Sequence, residues 1–224
     1  MAPMNVELVD SMGTDLSVVN AARVSFGQRD AELTAADKGL IRYLMKHKHA
    51  SPFEHCSLSF AIETSIAVSR EAMRHRTFSF NEFSTRYSEV DADAADWYIP
   101  EGDHVRTQTG KPGAYQFKPI EDDDTYQAVQ GIIADAYREC WDAYDVLLQR
   151  GVAREVARNV LPLGMTTMFY MAGNLRNWFN FLVLRTSEQA LIEIRDVAAL
   201  IEGHIAERFP ECYAAWVESG RPQI

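Results

Sequence analysis

The sequence predicts an α+β protein: a mixed sheet with flanking helices, in a single domain spanning residues 1–224. Three observations lead there. Strand-like and helix-like periods both occur, without the regular βα alternation of a doubly wound sheet. The glycine-rich fingerprints of dinucleotide-binding and P-loop folds are absent. The 224 residues, 47% apolar and 24% charged, suit one well-packed unit that needs no staples.

The elements follow in order. Thr34-Ala-Ala-Asp37 reads as a helix start, a variant capping box with Asp in place of Glu. Leu40, Ile41, Leu44 and Met45 continue it at helical spacing, the basic run Lys46–His49 suits its C-terminus, and Pro52 lies beyond. Leu58, Phe60 and Ile62 alternate with polar or small residues as in a half-buried strand. Residues 66–76 fit a helix with Ile66, Ser69/Arg70 and Met73 on one side. Residues 77–88 show neither period and read as a structured loop. Pro100, Gly102, Gly110, Pro112, Gly113 and Pro119 make residues 100–124 a long irregular excursion, with a lid as one reading. Thr125 opens a long helix whose apolar stripe includes Val129, Ile132, Ile133, Tyr137, Cys140, Trp141, Tyr144 and Leu148, ended by Gly151. A short helix over 152–161 stops at Pro162, and residues 166–172 are strand-like. Asn174 is placed to cap a helix running to Arg185. Ser187 is placed to cap a last helix with Leu191, Ile194, Val197, Ala198, Ile201 and Ile205 inward, ending before Pro210. Trp141 and Trp178 sit on helical stripes and read as core.

Composition narrows the function. No apolar run approaches the roughly 20 residues of a membrane span. The opening MAPMNVELVD has neither the basic nor the apolar region of a secretory signal. Three cysteines (Cys56, Cys140 and Cys212) without a C-x-x-C argue against a disulfide framework or zinc ribbon, so a reduced, cytoplasmic setting is expected. His47, His49 and His55 do not have the spacing of H-E-x-x-H, and no metal is expected. The net charge of −10 disfavours nucleic acid and anionic membranes as partners. The charge is unevenly spread. Residues 70–87 hold four arginines and two glutamates, whereas residues 88–103 hold six acids and no Lys or Arg. A basic island in an acidic chain fits a focused site for a small anion; a surface salt-bridge network would leave the same pattern.

The densest chemistry is Arg74-His75-Arg76-Thr77-Phe78-Ser79-Phe80-Asn81-Glu82-Phe83-Ser84-Thr85-Arg86-Tyr87. Guanidinium forks grip phosphate through paired, charge-assisted hydrogen bonds, and hydroxyls with loop N–H groups complete such a cradle. Nucleotide binding is therefore one reading, and an arginine loop packed by its own salt bridges is the other. Ser84 has no evident His–Asp relay, which favours phosphate contact over covalent catalysis.

The same segment carries a resemblance. R-H-R, seven residues, then Ser, complete at 74–84, resembles the signature of the flavin-dependent thymidylate synthases. Asn20–Phe26, Ser51–His55, Arg154–Arg158 through Pro162, and Asn174-Leu175-Arg176 through Asn180 to Arg185 are similar to that family's other blocks. The resemblance implies that family's fold and a homotetramer with sites between subunits. It also implies FAD as cofactor, with methylenetetrahydrofolate as carbon donor and NADPH as reductant. Carried over by position, Ser51, Arg74, His75, Arg76, Glu82, Asn174, Leu175, Arg176 and Asn180 touch the flavin, and His49 matches a histidine on the flavin side. Glu71, Ala72, Met73, Arg74, Glu82, Phe83, Ser84, Thr85, Arg86 and Arg185 bind the pyrimidine nucleoside monophosphate, joined by Arg158 from another subunit. Arg74 and Arg185 face the uracil and are the catalytic candidates.

The residues support that chemistry independently. Uracil C5 is a weak carbon nucleophile, and a fixed cation beside the base stabilises the charge that develops on N3, O2 or O4. Arginine suits this because it stays charged and cannot itself take the proton. No side chain donates hydride, so reducing a transferred methylene to a methyl needs a redox cofactor. The chain departs from the family at Glu71, commonly Gln there. A carboxylate only accepts hydrogen bonds, and an acceptor near the ribose suits an additional hydroxyl. The resemblance with this departure implies dUMP, UMP or both as substrates; a methylase dedicated to UMP in nucleoside antibiotic biosynthesis and a non-enzymatic nucleotide-binding module are the alternatives. Gln189 and Leu191 depart from the family's commoner His and Gln.

Overall fold

The computed structural model describes residues 4–86 and 97–224. Tyr87 and most of the acidic stretch lie outside the described residues. In chain order the elements are β1 (Asn5–Met12), α1 (Asp15–Arg23), α2 (Ala35–Lys46), β2 (Ser57–Ser65), α3 (Ile66–Ala72), β3 (Ser79–Glu82), β4 (Arg106–Lys111), β5 (Ala114–Pro119), α4 (Asp123–Gln149), α5 (Arg154–Ala157), β6 (Thr166–Asn174), α6 (Leu175–Arg185), α7 (Ile192–Arg208) and α8 (Pro210–Glu218). Four strands form one sheet in the order β1-β2-β6-β3, and β4 and β5 form a separate hairpin. The α+β expectation holds. Among the described residues no helix is long and apolar enough to cross a membrane.

The described residues group into two compact units. One comprises Asn5–Ile62, Ala72–Asn81 and Phe169–Ile224; the other holds Glu63–Glu71 and the described part of Glu82–Met168. Strands β2, β3 and β6 each run on from one unit into the other.

The first unit holds most of the core. Leu58, Phe60 and Ile62 of β2 are buried in strict alternation, the pattern their spacing predicts. The edge of the Phe60 ring meets Trp178 of α6 with centroids 4.9 Å apart, and Phe179 stacks on Trp216 of α8 at 5.0 Å. Trp178 is buried as expected, and its indole N–H donates to the carbonyls of Leu58 and Gly173. Thr34 caps α2 as predicted: Asp37 Oδ2 accepts from the Thr34 hydroxyl and N–H, each at 2.7 Å. Those two bonds, and then the Arg23 guanidinium, hold the Asp37 carboxyl below the usual carboxylate range. Burial pushes the Cys56 thiol up to about 12, and Cys212 is raised for the same reason.

Several expectations are corrected. Residues 79–82 form a strand inside the segment read as a loop; it lies at the sheet edge and is mostly exposed, so no burial period marks it. The helix expected over 66–76 stops at Ala72, before the turns of the arginine motif. Residues 100–124 are not irregular: β4 and β5 pair from Arg106↔Pro119 to Lys111↔Ala114. The two residues between them are Pro112, with its fixed φ, and Gly113 at φ +83, the chemistry of a tight turn. The short helix expected over 152–161 divides into α5 and a 3-10 turn over Arg158–Val160. The last long helix starts at Ile192; Ser187 instead accepts from Gln189 N through its hydroxyl, closing a local turn. In the second unit Trp141 is only half-buried, between Trp97 and Tyr144, and Ile132 on the same helix is 69% exposed.

Candidate active site

In the first unit the Arg74-His75-Arg76 motif sits between α3 and β3 in a run of tight turns. His75 N donates to Ala72 O (3.1 Å), Arg76 N to Arg74 O (3.1 Å) and Phe78 N to His75 O (3.2 Å). Tight turns throw successive side chains to different sides. His75 packs inward, its ring edge-on to Phe181 with centroids 4.8 Å apart, while the flanking Arg74 and Arg76 are exposed. The imidazole thus anchors the turn and the two guanidiniums face outward.

Helix α6 completes this cluster. Asn174 caps it as predicted, its Oδ1 accepting from Asn177 N at 2.9 Å. Asn177 Nδ2 then donates to Thr77 O at 2.9 Å, tying the helix start to the motif. At the other end Arg185 Nε donates to His75 Nε2 at 2.9 Å. A guanidinium only donates, so Nε2 is the imidazole's acceptor and the proton of the neutral ring sits on Nδ1. Three arginines are therefore gathered at one histidine within an acidic chain. Such a donor set fits a planar cofactor carrying a diphosphate, and a nucleotide beside it.

The motif rests on Phe78, which is buried edge-on to Trp178 at 4.5 Å. A Cβ on Gly173 would lie 2.4 Å from the Phe78 ring. Gly173→Ala is expected to displace that ring and the turn above it, costing about 1–3 kcal/mol by overpacking. Urea unfolding measures the loss of stability, and flavin content after purification should fall with it; normal values for both would show that the turn tolerates the shift.

Other expected cofactor residues are held within the chain. Arg176 Nη1 pairs with Glu54 Oε1 at 2.5 Å, and its Nε donates to Ile224 O at 2.8 Å. Asn180 exchanges two hydrogen bonds with the Ile224 main chain, both 2.9 Å. Leu175 is buried with its N–H on Cys56 O, so it supports the site from the core. Ser51 is exposed at the start of a 3-10 turn whose Pro52 and Phe53 are buried. His49 is exposed, grouped with the rings of Tyr43 and His47. Among the described residues no three His, Cys, Asp or Glu side chains gather as a metal site. Ala72 is buried and Met73 half-buried as the chain enters the motif.

The second unit holds the remaining candidates. Glu82 closes β3, and its Oε1 accepts from the hydroxyls of Ser69 (3.2 Å) and Thr167 (3.0 Å), both on buried residues. Phe83 N continues the pairing to Met168 O at 2.9 Å, fixing where the next loop begins. In that loop Ser84 Oγ accepts from Arg86 N at 3.4 Å, and Thr85 Oγ1 from Arg158 Nη1 at 3.5 Å. Arg158 thus reaches Thr85 of its own chain, although the resemblance places it in another subunit's site. Arg86 pairs with Glu155: Nε and Nη2 lie 3.1 and 3.0 Å from Oε2. Glu71 is half-buried at the end of α3. Sequence reasoning missed the supporting residues Asn177, Ser69, Thr167 and Glu54, and the pairing of Glu155 with Arg86. Only Asn177 had a local signal, its place at the third position after a cap.

Known proteins resemble this chain over most of its length. The family model of the thymidylate synthase complementing protein, Thy1, matches residues 7–211. The flavin-dependent thymidylate synthase of Streptomyces avermitilis is 40% identical, over 97% of this chain and 92% of that one. That of Thermus thermophilus is also 40% identical, over 95% of this chain and 75% of its own. Two crystal structures of the UMP/dUMP methylase PolB from Streptomyces cacaoi superpose closely. The complex with 5-Br UMP gives a TM-score of 0.89 at 39% identity, covering 99% of this chain and 96% of that one. The complex with 5-Br dUMP gives 0.90 at 40% identity, covering 100% and 98%.

Proposed function

The chain belongs to the flavin-dependent thymidylate synthase family, and from that premise we propose that it methylates uracil C5 in both UMP and dUMP. As a member it is a flavin-dependent methyltransferase acting on uridylate. FAD is the flavin, methylenetetrahydrofolate supplies the carbon and NADPH the electrons. The working form is a homotetramer in the cytoplasm, with sites between subunits. The observation that carries the reading is the Arg185–His75 contact, which brings the end of α6 to the arginine motif.

Each side chain then has a task. Arg74 and Arg76, with His75 as their anchor, hold the cofactor; the bound flavin supplies the reducing equivalents that no side chain has. Asn174 orients α6, and Ser51, His49, Leu175, Arg176 and Asn180 shape the cofactor's surroundings. Ser84, Thr85, Arg86 and Arg158 take the nucleotide phosphate. Arg185 and Arg74 lie along the uracil edge, where fixed positive charge stabilises the anion that develops as C5 attacks carbon. Arg185 holds this charge without accepting the C5 proton. Glu82, with Oε1 fixed by two hydroxyls, meets the base and cofactor from the sheet edge. Glu71, Ala72, Met73 and Phe83 line the nucleotide's sugar and base, and the Glu71 carboxylate accepts from the ribose 2′-OH.

The test compares UMP and dUMP side by side, following tritium release from C5 with methylenetetrahydrofolate, NADPH and FAD present. Release from both is expected. Release from dUMP alone would remove Glu71 from its assigned part, and release from neither would remove the methylation itself.

A further inference from the structure

We infer that Glu155 is an affinity-setting residue for the nucleotide: a carboxylate that occupies the Arg86 fork when no phosphate is present and competes with phosphate for it. The inference rests on the proposed role of Arg86 as a phosphate ligand. Glu155 Oε2 receives both Nε and Nη2 of Arg86, so one edge of the planar guanidinium is engaged by a single anionic oxygen. That edge is the feature that makes arginine a phosphate ligand.

The surroundings point the same way. Arg86, Arg154 and Glu155 line a depression of about 420 Å³, together with the turn Gly151-Val152-Ala153. Glu155 is the one acid among the described lining residues, so removing its carboxylate raises the charge of the hollow by one, in favour of a phosphate dianion. Glu155 and Arg86 are about half-exposed, at 55% and 50%. A water-screened pair of this kind contributes little rigidity to the loop. Repulsion between the carboxylate and a doubly charged phosphate therefore outweighs any help Glu155 gives in positioning Arg86. The pair engages Arg86 before nucleotide arrives. It also gives Arg86 a partner to return to when nucleotide leaves, which speeds release.

The experiment is calorimetric titration of the full-length FAD-loaded protein with dUMP and with UMP, in the wild type, Glu155→Gln and Arg86→Ala, at two salt concentrations. Glutamine keeps the size and removes the charge. Glu155→Gln is expected to lower the nucleotide Kd about three- to fivefold at low salt, with the gain shrinking at high salt. Stopped-flow dissociation should slow by a similar factor. A purely structural role for Glu155 predicts weaker binding instead, so an unchanged or raised Kd in Glu155→Gln overturns the inference. Arg86→Ala separates the two levels. If it raises Kd while Glu155→Gln leaves Kd alone, only the competition fails. If it leaves Kd unchanged, the phosphate role of Arg86 fails, and the inference with it.

Discussion

Arg185→Ala should reduce turnover by about 10²- to 10³-fold, the usual cost of removing one preorganised group that stabilises developing charge. Nucleotide affinity should change far less. The reason lies in timing: neutral uracil in the ground state has little need of a cation, whereas negative charge gathers on the ring as C5 attacks carbon. Single-turnover rates and nucleotide Kd values measured on the same preparation separate the two effects. Equal losses in both would mean that Arg185 only binds. Because Arg185 also donates to His75, the alanine variant loosens the motif turn. Flavin content measured alongside keeps that indirect effect visible. Arg185→Lys retains the charge but not the fork, so it should fall between the two, with much of its binding and a fraction of its rate.

Arg86→Ala should raise the nucleotide Kd by about 10- to 100-fold, the range for losing hydrogen bonds to a charged group. Turnover at saturating nucleotide should be nearly unchanged, because the phosphate carries the same charge in ground and transition states. Such an interaction is uniform binding energy and appears in KM alone. A matching fall in kcat would place Arg86 nearer the reacting atoms.

Much of the fold was legible where local rules and burial agree. Thr34 and Asp37 close a cap three residues apart, Leu58, Phe60 and Ile62 alternate into the core, and Asn174 starts α6 through its own side chain. The misses have physical causes. The β4–β5 hairpin has almost no burial to mark a period; its turn chemistry at Pro112-Gly113 forms it. Strand β3 is four residues of edge, held by bonds rather than by packing. Strand β1, α1 and α8 were not foreseen, because their burial depends on distant partners: Asp15 caps the start of α8 by accepting from Cys212 N at 2.9 Å. At the site the arginine motif could be read from residue types alone. Its supports could not, since Glu54 meets Arg176 and Glu155 meets Arg86 across long stretches of chain with no motif to join them.

The raised thiols of Cys56 and Cys212 have a practical consequence. At neutral pH both stay protonated and enclosed, so neither offers the thiolate that maleimides and air oxidation require. Cys140, part-exposed on α4, is then the one position open to a thiol-directed probe. That helix also presents Ile132 and Val146 to water in the single chain. The speed at which Cys140 takes up a label thus reports how open this face of α4 is to solvent.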